Sequence, residues 1–247
     1  MNRRPSMRSN TNAFVYATPH IARILGKNPG IRVVLTNSST AYIDTKTKVI
    51  HVPVYKPDTP ECAFIRFVTH EVAHYLYTPL NEWYPRGRGN MNDYDDEGKK
   101  VPLSMQLLNV VEDVRIEKMI RREYPGLYHT YEESSKWFID SDFFGISKFG
   151  DINKMGFFNR FNVFAKCGQL SGAVFTDTEQ ILVDRIMAVE TWQDVLDIVK
   201  MLSEEIPKLP KMERESSGDE NGEPSDQPKR GEPSEDDMSD HSNYDTL

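Results

Sequence analysis

Between residues 31 and 53 the apolar positions come in short, β-branched runs: Ile31-Arg32-Val33-Val34-Leu35, Ala41-Tyr42-Ile43 and Val49-Ile50-His51-Val52. Asn37-Ser38-Ser39 and Asp44-Thr45-Lys46-Thr47 separate them. Runs of this length punctuated by turn formers predict a three-stranded antiparallel meander. The period then changes. After Pro57-Asp58-Thr59-Pro60, acidic Glu61 opens a stretch with apolar Phe64, Phe67, Val68, Val72, Ala73 and Leu76 that Pro79 closes, the signature of an amphipathic helix. Leu107, Val110, Val111, Val114 and Met119 predict a second long helix over residues 103–123, stopped by Pro125-Gly126. Residues 157–167, 178–189 and 191–202 predict three more helices, the last two opened by threonine N-caps. A shorter helix is expected over residues 14–25, with residues 1–12 loose. Tyr128, His129 and Tyr131 read as loop residues. The order is a small antiparallel sheet, then a helix, then a helical bundle, which makes an α+β domain.

Two stretches break the periodicity. Residues 83–101 are rich in Gly, Asn, Asp and Lys and are expected to form a long surface loop, the kind that serves as a lid or substrate-binding element. Residues 212–247 are rich in Ser, Pro, Gly and Asp with almost no apolar side chains. Of the chain's 38 acidic and 30 basic residues, 12 and 3 fall in that tail, leaving 26 against 27 in the remainder. The net charge of −8 therefore belongs to the tail, which is expected to be disordered, and residues 1–211 form one near-neutral domain. No basic stripe supports nucleic-acid binding. No apolar run approaches the roughly 20 residues of a membrane span, and no leader pattern opens the chain, so a soluble, cytoplasmic protein is expected. Cys62 and Cys167 form neither a metal-ligand spacing nor a disulfide framework.

The chemistry concentrates in His70-Glu71-Val72-Ala73-His74, which falls mid-helix. Residues four apart share a helix face, so His70 and His74 can offer two imidazole nitrogens to one Zn2+ while Glu71 sits beside an open position. Zinc there would lower the pKa of a bound water, and Glu71 would take its proton and pass it to a leaving amine. A chance match to this pattern in such a chain has a probability of about one in a hundred. The third ligand is sought in Asn109-Val110-Val111-Glu112-Asp113-Val114-Arg115-Ile116-Glu117, where carboxylates interrupt core-type positions and need a partner. Glu112 is assigned as the ligand, with Asp113 or Glu117 supporting a histidine from behind. Alternatively, Asp113, Arg115 and Glu117 form an ion-paired helix face. His129 is a rival ligand, Tyr128 and Tyr131 are candidate oxyanion donors, and His51 is a strand histidine whose default role is structural. His20 and His241 carry no assignment.

The HExxH segment followed by Leu108-Asn109-Val110-Val111-Glu112-Asp113-Val114-Arg115-Ile116-Glu117 resembles the phage-encoded HExxH zinc metallopeptidases related to the CobT-type cobaltochelatase subunit, over about residues 60–125. That resemblance implies a zincin-like, more narrowly gluzincin-like, core in which a substrate strand pairs with the sheet edge beside the zinc helix. It also implies a host-cell cytoplasmic location. In such proteins an acidic linker leads to a von Willebrand A-type domain. Two functions follow. The first is zinc-dependent hydrolysis of peptide bonds in a protein or peptide substrate, with Glu71 as base. The second is a non-hydrolytic partner of an AAA+ ATPase whose metal site is structural or vestigial. An intact Glu71 favours the first, since a structural site closes its fourth position with Cys or His.

Overall fold

The computed structural model describes residues 10–37, 40–54, 59–79, 82, 92–94, 100–102 and 105–206. The expected acidic tail therefore lies outside the described residues, as do His241 and most of residues 83–101. The described chain is α+β and mostly helical: α1 (Asn10–Leu25), β1 (Arg32–Thr36), β2 (Tyr42–Asp44), β3 (Val49–Pro53), α2 (Glu61–Tyr77), β4 (Asn92–Tyr94), β5 (Lys100–Pro102), α3 (Met105–Glu123), α4 (Leu127–Asp140), α5 (Phe157–Cys167), α6 (Asp177–Met187) and α7 (Trp192–Glu205). No described helix is long and apolar enough to cross a membrane.

The sheet is mixed, which corrects the expected antiparallel meander. Its order is β1-β3-β2, with β1 parallel to β3 (Val33 opposite Ile50) and β2 antiparallel to it (Ile43 opposite Ile50). The reason lies in burial. β3 contributes the fully buried Ile50 and Val52 to the core, whereas β1 and β2 expose Leu35 and Tyr42. The last strand in sequence is therefore the central one, and the β1–β2 connection crosses from one edge to the other.

Three further expectations are corrected. Residues 127–140 form α4 rather than a loop; Gly126 supplies no side-chain cap, so no start signal marks the helix. The cap of α6 is Thr176, whose hydroxyl accepts from the Glu179 backbone while Glu179 returns to the Thr176 backbone; Thr191 and Asp194 do the same for α7. Within residues 83–101, Asn92–Tyr94 pairs antiparallel with Lys100–Pro102, so that segment contains a hairpin.

Two apolar clusters hold the fold, and α3 belongs to both. Leu107, Leu108, Val110, Val111 and Val114 pack against α5, α6 and α7 around Phe161, Ile186 and Val199. One turn further on, Ile116 and Ile120 pack against α1, β3 and α2 around Ile31, Ile50, Val68 and Val72. A helix buried on nearly all sides must pair whatever charge it carries, and α3 buries Glu112, Asp113, Arg115 and Glu117 at its middle.

Candidate metal centre

Helices α2 and α3 face each other along two i, i+4 pairs, His70–His74 on one and Asp113–Glu117 on the other. Nε2 of His70 and Nε2 of His74 lie 3.4 and 3.2 Å from the same oxygen, Oδ1 of Asp113. The three ligand atoms fall within 4.8 Å of one another, so the group could hold a metal ion.

Each imidazole is fixed from behind. His70 donates from Nδ1 to Oε1 of Glu117 (3.0 Å), and Arg66, one turn earlier on α2, donates to Oε2 of Glu117 (3.2 Å). His74 donates from Nδ1 to the Thr78 hydroxyl (3.0 Å), which itself donates to Oε1 of Glu112 (2.6 Å). These contacts make Nδ1 of each ring the donor behind it, so that each Nε2, once free of a proton, is turned towards a metal.

The structure places Glu112, the expected third ligand, elsewhere. Its side chain is fully buried, and Arg115 grips both oxygens, Nη2 to Oε1 at 2.7 Å and Nε to Oε2 at 2.8 Å. Adjacent residues on a helix point about 100° apart. Only one of Glu112 and Asp113 can therefore face α2's histidines, and it is Asp113. Arg115 pairs with Glu112 and not with Asp113 or Glu117, so the ion-paired face proposed from sequence does not form as such.

Lys166, near the end of α5, was not signalled by any sequence pattern. Its Nζ donates to Oδ2 of Asp113 (2.8 Å) and lies 3.5 Å from Oε1 of Glu117. Its backbone carbonyl accepts from Arg66 (2.8 Å) and from Ser135 (2.9 Å), which ties α5 to α2 and α4 at the site.

Glu71 is 6% exposed, and no described residue hydrogen-bonds its carboxylate. Burial pushes its pKa up, against the pull of His70 and His74. Burial works against a charged His70 as well, and Lys166 adds to that opposition, yet Asp113 and Glu117 prevail and lift it to about 9. Burial alone would raise Asp113 and Glu117; Lys166 with His70 holds the first well below the usual carboxylate range, and Arg66 with Lys166 does so for the second. Counting Glu71, Glu112, Asp113 and Glu117 against Arg66, Arg115 and Lys166, the buried cluster carries one excess negative charge when both imidazoles are neutral. In the metal-free protein a proton on His70 offsets it.

The other sequence candidates lie apart from this group. His129 is exposed on α4 and pairs with Glu133, so it cannot be a ligand here. Tyr128 is exposed, and the buried Tyr131 hydroxyl meets Thr69 at 3.2 Å while Arg66 lies over its ring. Neither tyrosine has a place beside the three ligand atoms. His51 stacks on Tyr42 with centroids 4.4 Å apart and parallel planes. Cys62 and Cys167 are both free thiols.

Neither a family model, nor a curated protein, nor a solved structure matches this chain.

Proposed function

We propose that the protein is a zinc-dependent peptidase of zincin-like architecture, with His70, His74 and Asp113 holding the ion and Glu71 acting as general base. One observation carries the reading. Two imidazole nitrogens and one carboxylate oxygen converge, each with its geometry fixed from behind, beside a buried carboxylate that no described residue hydrogen-bonds. The donor set of two nitrogens and one oxygen suits zinc, and three protein ligands leave one position for chemistry. Bound zinc supplies Lewis acidity towards water and towards a substrate carbonyl.

The chain's own residues supply the rest. Glu71 accepts the proton of the attacking water and delivers it to the leaving amine, a task helped by burial that keeps its pKa above that of a solvated carboxylate. Glu117 and the Thr78–Glu112 pair hold the two imidazoles with Nε2 forward, so no reorganisation is needed when the ion binds. Asp113 as third ligand replaces the glutamate that a gluzincin-like core would use.

The test is metal analysis of the wild type and of His70→Ala, followed by hydrolysis of a generic unfolded protein substrate by wild type and Glu71→Gln. We expect one zinc per chain, lost in His70→Ala, and a Glu71→Gln protein that keeps zinc while its turnover falls by about 10²–10⁴-fold. Wild type that takes up no zinc, or Glu71→Gln that cleaves normally, would sink the reading. A structural site serving a non-hydrolytic partner protein predicts zinc without turnover in either form.

A further inference from the structure

Asp113 has two oxygens, and a metal could take one or both. Taking both would add a fourth protein donor to the two imidazoles and close a tetrahedral site. What occupies the second oxygen therefore decides whether the centre is open. The occupant is Lys166, whose Nζ donates to Oδ2 at 2.8 Å while Oδ1 alone faces the two Nε2 atoms.

We infer that Lys166 is a positioning residue that keeps Asp113 a one-oxygen ligand and so holds a coordination position open for substrate. The inference rests on the metal-site reading above. Three features set Lys166 apart from an incidental ion pair. It comes from α5, a different helix from either ligand pair, and its side chain is 18% exposed against 8% for Asp113, so the contact is shielded from solvent. Its ammonium also lies 3.5 Å from Glu117 Oε1, the oxygen that accepts the hydrogen bond from His70 Nδ1, so a single cation spans the metal ligand and the group behind His70. Its backbone is pinned at 2.8 Å by Arg66, the same guanidinium that holds Glu117. Arg66, Glu117, Lys166 and Asp113 are thus joined in one network of hydrogen bonds and ion pairs. A metal could reach Oδ2 only by displacing a charge-assisted hydrogen bond, the strong kind. Asp113 and Glu117 are also like charges one turn apart, a repulsive spacing that the ammonium offsets.

The experiment uses the full chain, stripped with a chelator and reloaded with cobalt(II), whose visible bands report coordination geometry. Wild type, Lys166→Met and Lys166→Arg are compared, each with and without azide as a probe of the open position. Lys166→Met should still bind one cobalt per chain, with its response to azide lost as the second Asp113 oxygen takes the open position. Lys166→Arg, which still donates to Oδ2, should match wild type. A Lys166→Met spectrum and azide response equal to wild type would overturn the inference while leaving the metal site intact. If wild type binds no cobalt, the metal-site reading has failed and this inference with it. Should Lys166→Met not fold, the wild-type cobalt protein decides: visible bands that shift with azide support an open fourth position, and bands that azide leaves unchanged overturn it.

Discussion

Arg115 holds Glu112 with two hydrogen bonds, at 2.7 and 2.8 Å, in a pocket where the carboxylate has no solvent exposure. Such a pair is costly to break from one side, because the surviving charge stays buried and unpaired. Glu112→Ala should therefore lower stability by about 3–5 kcal/mol. Asp113→Ala also strips Lys166 of its nearest carboxylate and lowers stability, but unlike Glu112→Ala it should empty the site, its metal affinity falling by well more than the roughly 10- to 100-fold typical of an outer partner. Thermal melts and metal titrations on the two variants separate the roles. If Glu112→Ala loses metal while Asp113→Ala keeps it, the geometry assigned to the two acids is reversed.

The Thr78 hydroxyl is the sole described link between His74 Nδ1 and Glu112, so replacing it with an isostere tests that link alone. Thr78→Val should weaken zinc binding by about 10- to 100-fold, read by competition with a chromophoric chelator. Unchanged affinity would mean that the Thr78 hydroxyl is not what orients His74.

The metal-free protein should lose stability as pH rises from 6.5 to about 9. His70 has a folded pKa raised above its unfolded value, so its contribution is complete below 6.5 and disappears as pH passes about 9, roughly 3 kcal/mol in all. Asp113 and Glu117 act oppositely: their folded values are depressed, so their contribution is present above the ordinary carboxylate range and fades in acid. Because a metal must displace the His70 proton, zinc affinity should climb about tenfold per pH unit until that proton is gone. Chelated and zinc-loaded melts across this range check both statements; a chelated protein with flat stability from pH 6.5 to 9 would refute the charged His70.

A core change outside the hydrogen-bonded centre gives a control. Phe161 on α5 is 1% exposed among Leu, Ile and Val side chains, so Phe161→Ala should cost about 3–5 kcal/mol. Zinc stoichiometry measured well below the melting temperature should remain that of wild type. Loss of zinc in the folded variant would place Phe161 in the centre's support.

The sequence reached α2, α3 and α5 because each carries a helical apolar period with clear stops: Pro79, Pro125-Gly126 and Gly168. It missed α4 because Gly126 gives no capping signal and the aromatics Tyr128 and Tyr131 give no consistent apolar stripe, one being exposed and one buried. Strand order was beyond reach for a different reason: alternation within a strand is the same whether its neighbour runs parallel or antiparallel. At the site, His70, Glu71 and His74 follow from local spacing. The choice between Glu112 and Asp113 does not, since it depends on which side of α3 faces α2. The matching i, i+4 spacing of Asp113 and Glu117 to His70 and His74 was the available clue. Lys166 had none, because only tertiary packing brings it within 2.8 Å of a residue 53 positions earlier.

Helix α3 has its two ends in the two largest apolar clusters, with the metal-facing acids near its middle. Neither cluster can melt without withdrawing part of that helix, so the two halves of the domain should unfold as one cooperative unit. An ion bound only by the native state adds RT ln(1 + [L]/Kd), about 2.7 kcal/mol at a hundredfold excess over Kd. Because one of its ligands, Asp113, sits near the midpoint of the shared helix, that gain reaches α7 as well as the sheet, and hydrogen exchange in both should slow together when the site is filled.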